Sequence, residues 1–243
     1  MIDLIWPHSQ HNDDPILKDK ALVVAPMVDQ SDLPFRLLCR KYGSNLCFTP
    51  MFHARMFNEK VSYRNAFWDE TKRFPKEDRP VVVQFCGSDV DQLLRAAKVV
   101  EPHCDAVDIN CGCPQGIARR GNYGAFLLEQ GDLLVNIVQT LVQNLDVPVT
   151  VKVRILPSGL EPSLALYRRL IDAGASMLTV HGRTRHQKGH DTGAADWGAI
   201  KRVVEEFGHE LPIIANGGIA NMDDVQKCLE FTGADGVMSS EAV

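Results

Sequence analysis

The sequence predicts a (β/α)8 TIM barrel of the α/β class, and three observations carry the prediction. Eight short apolar runs recur along 243 residues. Stretches with helical periodicity and explicit end signals lie between them. A polar or conformationally special residue follows nearly every run, as expected where barrel strands deliver groups to one mouth. A doubly wound open sheet is the competing arrangement.

The runs lie near Leu22–Ala25, Leu46–Thr49, Val81–Phe85, Ala106–Asn110, Val149–Val153, Met177–Val180, Ile213–Ala215 and Gly236–Met238. Most are continuous rather than alternating, the pattern of parallel strands covered on both faces. Between them, Ser88-x-x-Asp91 is a capping-box pattern, followed by Val90, Leu93, Leu94 and Ala97 on one face. Leu134, Ile137, Val138, Leu141 and Val142 mark a second helical stripe. Asn221-x-x-Asp224 repeats the helix start, and Gly233 stands where a glycine would end that helix. A weak repeat, PHCDAVDIN, DAGASMLTVH and FTGADGVMSS, runs three helix ends into strands. The chain stops at Val243, straight after the eighth run, so a barrel truncated after its eighth strand is expected. Residues 1–20 read as an N-terminal extension and residues 21–243 as the barrel domain.

Bulk properties narrow the function class. The net charge of −5 argues against binding nucleic acid through bulk charge alone. No run approaches the ~18 consecutive apolar residues of a membrane span, and the N-terminus lacks the features of a secretory signal. Seven irregularly spaced cysteines suit a reducing compartment. The expected setting is intracellular, in cytoplasm or nucleus, with no membrane partner.

At the strand ends stand Pro26-Met27, Pro50-Met51, Gln84, Asn110 to Cys113, Lys152 with Arg154, His181, Asn216 to Gly218 and Ser239-Ser240. Lys152 closes the run VPVTVKV, where a buried ammonium requires a partner or an anionic ligand. His181 is either a satisfied core histidine or a donor to a polar ligand. Gln84 and Asn110 either tie loops together or read the amide edge of a ring. Asn216-Gly217-Gly218 can present backbone N–H groups to a phosphate, at the place where barrels commonly bind one. DINCGCPQG, Asp108–Gly116, holds two cysteines one residue apart, open to metal, disulfide, nucleophile or acid roles.

The segments APMVDQSDLPFR, VVVQFCG, DINCGCPQGIARRGNYGAFLL, VTVKVR, TVHGRTRHQKG and IIANGGI resemble the flavin-dependent tRNA-dihydrouridine synthases from about Val23 to Met238. The details are most similar to the eukaryotic dihydrouridine synthase 1 type, which acts on the D-loop. The resemblance implies a barrel holding FMN and reducing the C5–C6 double bond of uridines in tRNA, with NADPH (or NADH) re-reducing the flavin. A hydride would go to C6 and an acid would protonate C5. It implies Pro26 and Met27 packing on the flavin, and Gln84, Asn110, Lys152 and His181 around its ring. Asn216, Gly217 and Gly218 would hold the phosphate, and Cys113 would be the acid. Two positions depart from the family pattern. Gly218 replaces the usual aspartate of Asn-Gly-Asp, and Ser239-Ser240 replaces Gly-Arg, so serine hydroxyls would be weaker phosphate contacts than the arginine. The family usually adds a C-terminal helical RNA-binding domain, which is expected to be absent here. A monomer with no metal is expected.

The chemistry of thiols is compatible with that acid. Cys111 and Cys113 sit too close in sequence for an unstrained disulfide, and C-x-C without a second pair is poor zinc spacing. An ordinary thiol, with a pKa of about 8.5, is mostly protonated near neutral pH. Cys113, before Pro114, is expected in a flexible loop and Cys111 packed behind it.

For the RNA, Arg119 and Arg120 lie just past the cysteines, and Arg183 and Arg185 follow His181 with Lys188. A second basic segment, Phe52–Phe74, mixes Arg55, Lys60, Arg64, Lys72 and Arg73 with Phe57, Tyr63, Phe67 and Trp68, rings that could stack bases but more simply anchor the segment. Two other functions fit the same chain. One is a flavin oxidoreductase acting on a free pyrimidine, similar to dihydroorotate dehydrogenase. The other is a catalytically idle RNA-binding barrel.

Overall fold

A computed structural model describes residues 16–68 and 75–240. Most of the N-terminal extension, together with Lys72 and Arg73, lies outside the described residues. Among the described residues nine strands form one sheet: β1 (Ala21–Val24), β2 (Leu46–Phe48), β3 (Phe52–His53), β4 (Val81–Cys86), β5 (Ala106–Cys111), β6 (Val149–Arg154), β7 (Met177–His181), β8 (Ile213–Asn216) and β9 (Gly236–Ser239). Every pairing is parallel. The order β2-β1-β9-β8-β7-β6-β5-β4 closes on itself where Cys47 pairs with Val81, giving an eight-stranded barrel.

All eight predicted strands are present. The additional β3 continues the line of β2 beyond Pro50 and pairs Phe52 with Phe85 of β4. Proline has no N–H for the ladder, so the strand is interrupted there.

The helices cover the outside: α1 (Leu33–Lys41), α2 (Ala54–Glu59), α3 (Val61–Phe67), α4 (Val90–Val100), α5 (Gly116–Arg120), α6 (Gly131–Asn144), α7 (Leu160–Asp172), α8 (Trp197–Phe207) and α9 (Met222–Thr232). The start of α4 corrects the sequence reading by one residue. Asp89, not Ser88, is the cap, its carboxylate accepting the Gln92 N–H. A carboxylate at this position satisfies an orphan donor and complements the helix dipole. On α6 Leu134, Ile137, Val138 and Leu141 are buried as the stripe predicts. Asn221 caps α9 through the Asp224 N–H, Asp224 accepts in return from Ala220, and Gly233 ends the helix at φ 72°.

The internal repeat has a physical basis. Asp105 and Asp235 each stand just before a strand and donate their backbone N–H to the preceding strand, at Val81 and Ile213. Their carboxylates accept the N–H of those same residues, at 2.6 and 2.9 Å. Each Asp thus stitches the bottom of its strand to its neighbour.

Side chains alternate across the strands. Outward residues meet the helices in one large core that includes Ile109, Cys111, Val151 and Val153. Inward residues form a separate cluster in the barrel, among them Val23, Leu46, Phe48, Val82 and Met238. Its apolar weight lies on β1, β2 and β9. From β4 to β8 the interior turns polar toward the C-terminal ends, with Gln84, Asp108, Asn110, Thr150, Lys152 and Asn216 all buried. Phe57 and Trp68 belong to the outer core, and Phe57 contacts the rings of Phe52 and Phe85 at 5.9 and 5.4 Å. The anchoring reading therefore holds for Phe57 and Trp68. Among the described residues no helix is long and apolar enough to cross a membrane.

Candidate active site

The site sits where the polar half of the interior reaches the mouth. Its floor is Asp108, fully buried on β5. The Thr150 hydroxyl donates to it at 2.6 Å and the Gln84 amide at 2.7 Å. Burial in the barrel pushes its carboxyl up to about 7, while the Thr150 and Gln84 donors and nearby Lys152 pull the other way. Asn110, two residues on and facing the same way, donates to Gln84 Oε1 at 2.7 Å. Its own Oδ1 accepts the backbone N–H groups of Gly112 and Cys113, at 3.2 and 3.0 Å. Of the two readings for Gln84 and Asn110, loop-tying is what these bonds do.

The Cys113 loop is pinned rather than flexible. Besides the Asn110 cap, its carbonyl accepts the Ala125 N–H at 3.0 Å. Gly124 lies beneath it at φ 63°, where a Cβ would come within 2.5 Å of that carbonyl, so only glycine allows the approach. Arg154, at the end of β6, donates to the Gly112 carbonyl at 2.7 Å and to Thr184 and Gln187 carbonyls at 2.9 and 3.3 Å. Lys188 reaches the Pro114 carbonyl at 3.0 Å. The loops after β5 and β7 are thus joined across β6.

The two cysteines separate cleanly. Cys111 is buried in the layer between strands and helices, and burial pushes its thiol well up. Cys113 is the partly exposed one of the seven, all of which are free thiols. It packs beside Cys86, Ala118 and Tyr123. Among the described residues no group of three or more histidine, cysteine or acidic side chains gathers to hold a metal ion.

Lys152 Nζ donates to Asn216 Oδ1 at 2.6 Å, and the Asn216 amide donates to the Met238 carbonyl at 2.8 Å. Burial, then Arg154, lower the lysine to about 8. His181 is driven far down, first by burial and then by the cations Lys152, Arg154 and Arg183, so it is neutral. Arg183 lies 3.2 Å from His181 Nε2. A guanidinium can only donate, so Nε2 accepts and the ring proton sits on Nδ1. Next to the histidine, Gly217 adopts φ 104°, and a Cβ there would meet the imidazole at 2.8 Å. Trp197 Nε1 holds the Gly217 carbonyl at 3.0 Å.

The remaining predicted residues distribute as follows. Pro26 and Met27 are half-buried at the rim, and Met27 shares a hollow of about 470 Å³ with Ser240. Gly218 continues the turn after Gly217 at φ 74°. Ser239 donates to the Ile219 carbonyl at 2.9 Å, so its hydroxyl is already engaged. Arg119 and Arg120 are exposed on α5, directly past the cysteine loop. Arg183 is buried and donates to the Gly193 carbonyl at 3.1 Å. Arg185 pairs with Glu129 and lies 5.2 Å from the centre of the Phe126 ring. These two shape the loop instead of standing free at the surface. Asp108, Thr150 and the Arg154 clamp were not assigned from the sequence. The available signal was an aspartate two residues before Asn110 inside a continuous apolar run.

The chain matches the family described as Dihydrouridine synthase (Dus) over residues 23–243. It is 48% identical over 219 residues to the tRNA-dihydrouridine(16/17) synthase (NAD(P)(+)) of Schizosaccharomyces pombe, covering 90% of this chain and 54% of that protein. It is 51% identical to the protein of the same name in Saccharomyces cerevisiae, covering 90% and 51%. A human tRNA-dihydrouridine(20a/20b) synthase-like protein is 36% identical, covering 89% and 66%. The chain therefore spans about half the length of the first two relatives. Among solved structures, a 2,3-dimethylmalate lyase superposes with a TM-score of 0.59 at 14% identity, covering 92% of this chain and 77% of that one, a likeness of fold alone. With a barrel closed by eight parallel strands and a family match across nearly all of its length, this chain belongs to the dihydrouridine synthase family.

Proposed function

We propose that the chain is the catalytic barrel of an FMN-dependent tRNA-dihydrouridine synthase that reduces D-loop uridines, with NADPH or NADH as hydride source. The observation that carries this reading is the placement of Cys113, a partly exposed thiol held at the barrel mouth by Asn110 and packed beside Cys86, Ala118 and Tyr123, on the same end of the barrel as Lys152 and His181. The names of the similar yeast proteins support the tRNA substrate and the nicotinamide nucleotide.

The residues fit an anionic flavin nucleotide. Lys152, Arg154 and Arg183 converge on His181, and Asp108 is the buried carboxylate set against Lys152. That surplus of buried positive charge favours an anionic ligand. The missing Cβ at Gly217 leaves a cradle in front of the histidine. Lys152 and His181 would face the ring, with Gln84 and Asn110 beneath it engaged with Asp108 and the cysteine loop, Pro26 and Met27 would pack on it, and the Asn216-Gly217-Gly218 turn would hold the phosphate with Ser239 and Ser240 near it. The acidic first turn of α9, Asp223 and Asp224, disfavours an anion at the helix end, which supports this turn as the holder of the phosphate. When bound, FMN supplies the hydride that adds to C6 of the uracil.

The protein supplies the rest. At about 8 the lysine remains cationic near neutral pH and faces the negative charge that develops during reduction. Asn216 fixes its ammonium. His181 offers its Nδ1–H as a neutral donor. Cys113 gives a proton to C5 and its thiolate is then reprotonated from solvent. The uridine must leave the RNA stack to reach the mouth. Arg119 and Arg120 stand where phosphates beside it would pass, while Arg183 and Arg185 set the shape of the facing loop. Seven free thiols are consistent with an intracellular setting.

The decisive experiment incubates the full-length protein with unmodified tRNA and NADPH and maps dihydrouridine. D-loop dihydrouridine is expected. Turnover of free pyrimidines with untouched tRNA would instead support the small-substrate oxidoreductase. Absent flavin absorbance with retained tRNA binding would support the idle barrel.

A further inference from the structure

We infer that Asp108 is a positioning residue for the acid: it closes a one-way chain of side-chain amides, Gln84 and Asn110, that runs from the barrel floor to the backbone of Cys113. The inference rests on the proposed role of Cys113.

The polarity of the chain follows from its ends. The Gly112 and Cys113 N–H groups can only donate, so Asn110 must turn its oxygen toward them. Its NH2 then faces down and donates to Gln84 Oε1. Gln84 is left with its own NH2 facing Asp108. A single side-chain choice at position 108 completes this order, an acceptor. The Thr150 hydroxyl occupies the second carboxyl oxygen. Gln84 and Asp108 are fully buried and Asn110 nearly so, so water cannot repair a broken link. A donor stranded there costs about 1–3 kcal/mol, enough to favour flipping an amide and releasing the cysteine loop.

The competing account of this costly buried carboxyl is that it neutralises Lys152, the cation set against it on β6. The two accounts differ in what asparagine does. Its Oδ1 accepts from Gln84 as aspartate does, while its NH2 can face the Thr150 oxygen. It keeps the chain but discards the charge.

The test uses full-length holoenzyme and three measurements: kcat and KM on unmodified tRNA, and the rate of alkylation of the native protein by iodoacetamide. Among the described residues Cys113 is the one cysteine that is not buried, and the rate in excess of a Cys113→Ala blank reads that thiol. Asp108→Leu is expected to lower kcat ~10-fold or more with KM nearly unchanged, and to raise the alkylation rate ~3-fold or more. Asp108→Asn is expected to restore both to within ~2-fold of wild type. Equal damage from Asn and Leu overturns the inference, because charge and not acceptance would then matter. So does a folded Asp108→Leu protein with wild-type alkylation and kcat. Should Asp108→Leu fail to fold, Gln84→Leu breaks the chain one link higher, and a wild-type alkylation rate in that variant has the same force. Full activity in Cys113→Ala would defeat the acid role alone, leaving the alkylation comparison to decide whether Asp108 holds the loop.

Discussion

Arg154 on β6 donates through Nε to the Gly112 carbonyl at 2.7 Å, and the rest of its guanidinium serves the loop after β7. One buried side chain thereby fixes the cysteine loop against the loop that carries Arg183 and Arg185. Burial lowers its pKa to about 10, so it stays charged near neutral pH. Arg154→Lys loses the planar fork and cannot reach three carbonyls at once. The expected outcome is a loss of about 1–3 kcal/mol in denaturant unfolding and a fall of ~10-fold or more in dihydrouridine formation. Unchanged unfolding and turnover would show that the clamp is dispensable.

The cysteine pair predicts opposite phenotypes. Cys113→Ala is expected to purify with bound flavin and lose ~100- to 10,000-fold in dihydrouridine formation, the usual contribution of a positioned acid. Cys111→Ala should retain turnover and lose about 1 kcal/mol of stability, since its thiol is packed among core side chains. Rapid-quench turnover and urea unfolding check the two together.

Gly217→Ala tests the cradle. The new methyl would need the left-handed region at φ 104° and would lie 2.8 Å from His181. Such a backbone costs of order 1–3 kcal/mol before the clash is counted. The variant is expected to fold and to purify with little flavin absorbance. A fully loaded Gly217→Ala protein would place the cofactor elsewhere.

Asp108 also gives stability a characteristic pH slope. Its carboxyl ionises near 3.8 when unfolded and at about 7 when folded. Between those values the native state binds the extra proton, so stability falls as pH rises. The contribution is fully present below ~4 and lost by ~7, with a slope of at most about 1.4 kcal/mol per pH unit. Comparing wild type with Asp108→Asn by chemical denaturation at pH 4.5 to 7 isolates the group, because Lys152 changes charge only above that window. A pH-independent difference would mean the carboxyl is not buried as described.

With a net charge of −5, this chain alone should bind tRNA weakly and with steep salt dependence. Replacing Arg119 and Arg120 by glutamate should weaken that binding further and reduce the salt slope by ~1 per lost phosphate contact. Filter binding across a salt series measures both. Nanomolar affinity at physiological salt would contradict the expectation.

The eight strands were legible because a strand buried on both faces must be apolar throughout, and runs such as VVVQF and VTVKV leave no other reading. The exceptions inside those runs marked the site: Gln84, Asn110 and Lys152 are polar where only apolar residues are free of cost. β3 was not legible, since two residues beyond a proline carry too little pattern to register. The Ser88 cap was missed by one because two adjacent residues can both cap, and only the backbone path decides which side chain reaches the Gln92 N–H.

By itself the sequence determined the barrel and the strand-end cluster, because each leaves a local mark in residue type and spacing, while Cys113 as candidate acid came from the family resemblance. Tertiary structure decided the direction of the amide chain above Asp108, the Arg154 clamp, and the inward turn of Arg183 and Arg185. Several of these join residues far apart in sequence, such as Gln84 with Asp108, 24 positions away, and Arg154 with Gly112, 42 positions away. A hydrogen bond depends on where side chains meet in space, and only closure of the barrel brings these together.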